Sequence, residues 1–394
     1  MAVFTDHFIQ AFGLSRTELS LAYLLGTISS AMFLARAGRL YDRIGARLVI
    51  VGSSVLLGLA LTCIALVDVL GGALQGLLGL SALIAMFPFI WLGYFGVRFA
   101  GQGVLSGAAT NVLLVWFDRR RGIVSGSRAV FATLGFSLAP VFLASLIAGF
   151  GWRGALLVLA GVVGIGFSLL AVVVVRDTPE SCGLVPDGRR LDQAAARSPL
   201  PEVSFAGARR SAVFWMYSLV LALYGLFITA VVFHIVAIFA EAGRGADEAF
   251  AYFLPAAVVS VTVNLVASWL ADRIVLKILL VTELLAFVVG TIGLLYLAES
   301  WGYWTFIAGI GAASGLWGVL SNLSFIRFFG RRHLGQISGL NMSISVIGSA
   351  IGPALFSVGH DLLGTYHAGV WLTLAMTIVL LCLSIVIKQV EPAR

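Results

Sequence analysis

Ala368 to Ile387 runs for twenty residues without a charged side chain, and Ile278 to Ala298 is a comparable run that admits only Glu283. As a helix rising 1.5 Å per residue, each is about 30 Å long, the thickness of a bilayer's hydrocarbon core. No water inside that core satisfies backbone N–H and C=O groups, so only helices or closed barrels span it. The runs lack strand-like alternation, which selects helices. Composition agrees: 60% of the 394 residues are hydrophobic and 11% charged, too few charges to clothe a water-soluble surface.

The formal charge of +7 does not indicate a nucleic-acid partner, because the basic residues sit in short loops between apolar runs rather than along one face. Cys63, Cys182 and Cys382 are odd in number and far apart, so neither a disulfide framework nor a metal site is expected, and they read as packing residues. His7, His234, His333, His360 and His367 lack zinc-ligand spacing. No nucleophile-base-acid order and no phosphate-cradling glycine loop appears. The expectation is a chain that is no enzyme and carries no metal or other cofactor.

Apolar runs bounded by charge place helices near 18–36, 48–68, 88–117, 122–148, 154–175, 213–239, 250–270, 278–298, 303–326, 337–358 and 368–387. That is eleven. Residues 69–97 are apolar enough for one more crossing but are rich in glycine and interrupted by Pro88. A crossing there would put Arg119, Arg120 and Arg121 on the side opposite Arg39, Arg43 and Arg47, against the positive-inside tendency. An outer loop leading into one long helix is therefore expected. This topology puts all the basic residues on the cytoplasmic side except Arg16, Arg153 and Arg244 outside and Arg98 and Arg128 within the membrane.

The polar stretch 176–211, with Pro179, Pro186, Pro199 and Pro201, reads as a cytoplasmic linker between a helical bundle over 1–175 and a second over 212–394. An internal repeat supports the division. Ser125, Gly126, Gly135 and Pro140 recur 213 residues later as Ser338, Gly339, Gly348 and Pro353, and Asn111 and Phe117 recur as Asn322 and Phe328 at an offset of 211. Paired halves of this kind hold a solute near the midplane in many transporters.

Gly38-Arg-Leu-Tyr-Asp42-Arg43-Ile-Gly45-Ala-Arg47 resembles the loop signature that major facilitator proteins carry between their second and third helices. Glycine permits the tight turn, Asp42 suits a helix N-terminus, and the arginines suit neighbouring helix ends. A weaker copy, Ser268-Trp-Leu-Ala-Asp272-Arg273, occupies the matching place in the second half. Both copies are expected to latch one conformation. Arg98-Phe-Ala-Gly101-Gln102-Gly103, Gly151-Trp152-Arg153, Arg176-Asp-Thr-Pro179-Glu180 and Gly352-Pro353 extend the resemblance to the oxalate/formate and monocarboxylate branch of that superfamily. The resemblance implies an all-α major facilitator fold and alternating access.

Two departures bear on the substrate. Monocarboxylate carriers of this kind place an Asp and an Arg four residues apart on the eighth helix, where this chain has Ser260 and Asn264, and oxalate/formate exchangers place a Lys on the eleventh, near Asn341 here. Met1 to Thr17 resembles the outer end of a first helix and its loop, so the first helix is expected either upstream of Met1 or lost in an eleven-helix variant.

Charge inside a membrane is expensive, which makes each such residue a functional candidate. Arg98 and Arg128 are candidate ligands for a carboxylate, since a guanidinium fork matches its geometry; their alternatives are a structural hub and a side chain snorkelling to the interface. Asn264, Asn322 and Asn341 are candidate polar ligands, with Trp317 closing over the solute; interhelical bonding and packing are the alternatives. His234 and Glu283 are candidate proton sites, against a carbonyl-bonded histidine and a salt bridge. The glycines at 309, 311, 315 and 318 are expected to allow close helix approach.

The resulting expectation is a secondary carrier for a small organic anion, coupled to protons, multi-pass in a bacterial inner (plasma) membrane with its C-terminus cytoplasmic. Its partners are a small-molecule substrate and the lipid bilayer. The alternatives are efflux of amphipathic compounds, on the strength of Leu134-Gly135-Phe-Ser-Leu-Ala-Pro140, and a transport-inactive membrane sensor.

Overall fold

The computed structural model of the chain describes residues 4–14, 16–190 and 202–387. Met1, Arg197, Pro199, Pro201, Lys388 and Arg394 lie outside the described residues, as do the side chains of Arg16, Leu134, Phe136, Ser137, Pro140, Arg189 and Arg190. The first helices are α1 (Thr5–Phe12), α2 (Arg16–Ile44), α3 (Ala46–Ala65), α4 (Val67–Leu78) and α5 (Ala82–Gly96). A nine-residue π-helix (Val97–Leu105) leads into α6 (Ser106–Trp116), and α7 (Arg121–Gly161) passes through a second π-helix (Val162–Phe167) into α8 (Ser168–Val174). After them come α9 (Phe205–Arg210), α10 (Ala212–Glu241), α11 (Ala246–Ala251), α12 (Phe253–Ala271), α13 (Leu276–Leu295), α14 (Ser300–Phe329), α15 (Leu334–Leu363) and α16 (His367–Val386).

Ten helices among the described residues are long and apolar enough to cross a membrane, with Phe142–Val174 counted as one. The sequence suggested eleven, dividing this region at 148–154. The division is nevertheless there in the backbone: Gly151, within 148–154, leaves the helical conformation at φ 69° and ψ 168°, which only glycine adopts without strain, so Arg121–Gly161 is two helices meeting at a break.

The outer loop expected over 69–97 is corrected in part, while the long helix expected after it is present as a span from Ala82 to Trp116. Helix α4 fills Val67–Leu78 and stops at Gly79 in the left-handed conformation, and α5 starts at Ala82 and carries Pro88 inside it. Away from water the helix is the way a short apolar segment satisfies its own backbone, and that outweighs about 1 kcal/mol of propensity lost per glycine. At twelve residues α4 is too short to cross.

The described chain forms two compact units. The first comprises residues 1–112, 132–182 and 338–343. Its core joins Phe4, Phe8 and Phe12 of the N-terminal segment to Ile64, Ile90 and Leu156. Trp152 meets the rings of Phe8 and Phe12 edge-on at 5.7 Å, and its neighbour Arg153 pairs with Asp68 on α4.

The second unit comprises residues 113–131, 183–337 and 344–394. Phe227, Phe239, Phe287, Phe306 and Phe356 fill its core. Glycine sets its helix spacing: a Cβ on Gly309 would collide with the backbone of Gly290, bringing α13 and α14 together, and one on Gly315 would lie 2.5 Å from the Ser260 carbonyl of α12. Large apolar side chains such as Phe131, Phe233, Leu254 and Val386 are exposed, as a lipid solvent allows.

The polar stretch after α8 is more ordered than a proline-rich linker suggests. Strands β1 (Leu184–Val185) and β2 (Arg189–Arg190) pair antiparallel around Pro186–Gly188, with Asp187 at φ 69°. Aspartate tolerates this left-handed turn position. Cys182 and Cys382 are exposed rather than packed, and Cys63 is half-buried.

Candidate polar sites within the two units

In the second unit α7 starts on a carboxylate. The Gly122 N–H donates to Asp272 Oδ1 at 3.0 Å, and Asp272 also pairs with Arg327 at 3.6 Å. A Cβ on Gly122 would collide with the Ser268 carbonyl, so glycine lets α7 reach the end of α12. Burial holds the Asp272 carboxyl above its ordinary value, while the Gly122 N–H and Arg327 pull it back down. Beside it Arg121 donates to the Leu114 carbonyl at 3.0 Å and pairs with Asp118 at 3.1 Å. Burial pushes the Arg121 guanidinium down to about 10, against the opposing pull of Asp118. The Asp187 carboxylate in the hairpin accepts the Asp118 and Arg119 N–H groups at 3.2 and 3.1 Å. Arg273 is exposed and lies over the Trp269 ring at 3.8 Å.

Two turns into α7, half-buried Arg128 donates to Asn322 Oδ1 at 3.3 Å. Its Nε is buried without an acceptor. Asn322 in turn donates to the Gly318 carbonyl at 2.8 Å. Buried Asn264 donates to the Gly315 carbonyl at 2.9 Å, and a Cβ on Gly318 would sit 2.7 Å from its amide nitrogen. Trp317, between those glycines, donates its indole N–H to the Leu221 carbonyl at 3.0 Å. Asn264, Trp317, Asn322 and Arg128 thus gather along α14.

Glu283 lies deeper, on α13, fully buried, and neither carboxyl oxygen has a hydrogen-bond partner. His234 bonds through Nε2 to the Pro353 carbonyl at 3.1 Å and to Ser357 at 3.3 Å. Its ring also contacts Tyr366 at 5.0 Å between centroids.

In the first unit Arg98 stands in the π-helix, donates to Gln102, and lies over the Tyr23 ring at 5.3 Å. Helices of this type are rare and frequent at functional sites. Asn341 is buried, and its Oδ1 has no donor. In the loop copy of this unit, half-buried Gly38 and Asp42 and exposed Arg43 lie near the end of α2. Gly45 turns the chain at φ 89°, the Arg47 N–H donates to Asp177 at 2.8 Å, and the Arg47 guanidinium donates to the Val172 carbonyl. The carboxylate on the first turn of α3 is therefore that of Asp177.

Sequence reasoning did not assign Asp177, Asp187, Tyr23 or Gln102. Asp177 stands inside a motif that the sequence had singled out, yet nothing local marked it as a partner of Arg47, 130 residues away.

Long apolar helices carrying a few guanidinium and amide groups describe a multi-pass helical membrane protein. The sequence profile described as Major Facilitator Superfamily matches residues 1–353, and the chain belongs to that superfamily. It is 27% identical over 169 residues to the probable sulfoacetate transporter SauU of Cupriavidus necator, which covers 43% of this chain and 35% of that protein. It is 27% identical over 321 residues to human monocarboxylate transporter 11, covering 77% of this chain and 64% of that one. The chain thus spans less than two thirds of either relative. The transporter FucP in its outward conformation superposes with a TM-score of 0.66 at 16% identity, over 99% of this chain and 94% of FucP, a likeness of fold.

Proposed function

We propose that this chain is a secondary active carrier of a small organic anion of monocarboxylate type, coupled to protons and working by alternating access between its helical halves. The observation that carries the reading is that Arg98 and Arg128 both have neutral partners: a glutamine and a tyrosine ring for one, an asparagine for the other. A guanidinium in a water-poor setting without a carboxylate retains donor capacity for an anionic ligand. The relatives named for sulfoacetate and for monocarboxylate support that substrate class. Asn264, Asn322, Asn341 and Trp317 are proposed to complete the binding surface, and the loop residues around Asp42 and Asp272 to latch one conformation. His234 and Glu283 are the candidate proton sites.

The test is uptake of labelled carboxylates and sulfonates into proteoliposomes under an imposed inward proton gradient, comparing the parent with Arg98→Gln and Arg128→Gln. Each substitution is expected to lower uptake by about ten- to a hundredfold, the worth of a charge-assisted hydrogen bond. Gradient-independent behaviour, or variants as active as the parent, would refute the reading.

A further inference from the structure

We infer that Glu283, and not His234, loads and unloads the coupling proton, an inference that rests on the proton-coupled carrier reading. Leu279, Leu280, Leu284 and Phe287 surround Glu283 on its own helix, all buried. No donor reaches either carboxyl oxygen and no cation is paired with it among the described residues. An apolar side chain would fill this position without the cost of burying a carboxyl. What the position supplies is therefore carboxyl chemistry.

The surroundings also give it a route to the anion site. Tyr224 of α10 donates to the Ile310 carbonyl of α14 at 3.5 Å, and its ring is 5.6 Å from that of Phe287, one turn along α13 from Glu283, and 6.1 Å from that of Trp317. Asn322, the acceptor of Arg128, lies five residues further along α14, about 7.5 Å by helix rise. A movement of α14 that follows anion binding at Asn322 is thus felt at Tyr224 and at the carboxyl behind it.

The titratable and charged groups on the elements packed around Glu283 are few. Tyr217, Tyr224 and Glu241 are on α10, Tyr252 precedes α12, and Cys382 is on α16. Lys277, six residues back on α13 and about 9 Å away by helix rise, donates to the carbonyls of Ile385 and Ile387. Tyr303 and Arg327 stand near opposite ends of α14, and His367 begins α16. His234, by contrast, already has two polar partners and serves to tie α10 to α15.

One proton from water on the acidic side joins a carboxylate oxygen when α10, α13 and α14 part there. It leaves to water on the other side in the same cycle that carries one monoanion, so charge is conserved. The full chain in proteoliposomes tests this with two assays: accumulation driven by a proton gradient, and counterflow of labelled carboxylate without one. Glu283→Gln is expected to abolish accumulation and keep parental counterflow, which also shows that it folds, while His234→Asn accumulates like the parent. Accumulation by Glu283→Gln, or uncoupling by His234→Asn alone, overturns the assignment. A parent that neither accumulates nor exchanges any carboxylate refutes the carrier reading instead. The proton site is then judged by infrared difference spectroscopy of the purified chain between acid and alkaline buffer: a protonated-carboxyl band missing from Glu283→Gln supports it, and an unchanged spectrum overturns it.

Discussion

At the scale of single residues, geometry and charge at Arg128 make separable predictions. Its fork meets Asn322 through Nη2 and leaves Nε unsatisfied. If a carboxylate takes two parallel bonds from it, Arg128→Lys keeps the charge but loses the fork, and its transport KM should rise about tenfold, one charge-assisted hydrogen bond. An equal loss in Lys and Gln variants would show that the fork matters more than the charge. Gly318→Ala tests the neighbouring amide, because its Cβ would displace Asn264 from the Gly315 carbonyl. Interhelical bonds of this kind are worth about 0.6 kcal/mol in membranes, so a small drop in melting temperature in detergent is expected, together with a raised transport KM because Asn264 belongs to the proposed binding surface. Asn264, Asn322 and Arg128 were legible as polar residues inside apolar runs. Their partners were not, since a bond between residues 194 apart leaves no trace in local sequence.

At the scale of elements, the repeated loop motif takes different forms in the two units. In the second, Asp272 accepts the first N–H groups of α7, an interaction of carboxylate with helix dipole. In the first, the N-terminus of α3 is served by Asp177. Because burial raises the Asp272 carboxyl, the folded chain binds that proton more tightly than the unfolded chain does. The stabilising increment is complete below the ordinary value of 3.8 and is lost as pH rises through the raised one. Thermal melts at stepped acid pH should show this slope in the parent and not in Asp272→Asn. Gly151→Ala should cost about 1–3 kcal/mol in the same assay, since its conformation is reserved for glycine. Helix existence was legible from apolar length, whereas α4 was missed because its glycines resemble a loop when the solvent is taken to be water. The break at Gly151 was legible, because the gap between the apolar runs at 148–154 marked the place where the backbone leaves the helix.

For the molecule as a whole, the arginines fix an expectation about sidedness that the cysteines can test. All but five basic residues fall on one side of the expected topology, and the positive-inside tendency makes that side the one expected to face the cytoplasm. Cys182 is exposed in the turn after α8, within the polar stretch 176–211. Cys63 is half-buried on α3, its thiol 3.7 Å from the Phe89 carbonyl, and Cys382 sits within the apolar span of α16, where a charged reagent meets lipid. A membrane-impermeant maleimide should therefore modify Cys182 in inverted vesicles and leave the chain unlabelled in right-side-out ones, with Cys182→Ser as the control. Labelling of Cys182 from the outside would reverse the orientation, placing the loops of Asp42 and Asp272 and the hairpin of Asp187 on the external face. Proton-driven import would then require the end of α7 that meets Asp272 of α12 to open first to the acidic side.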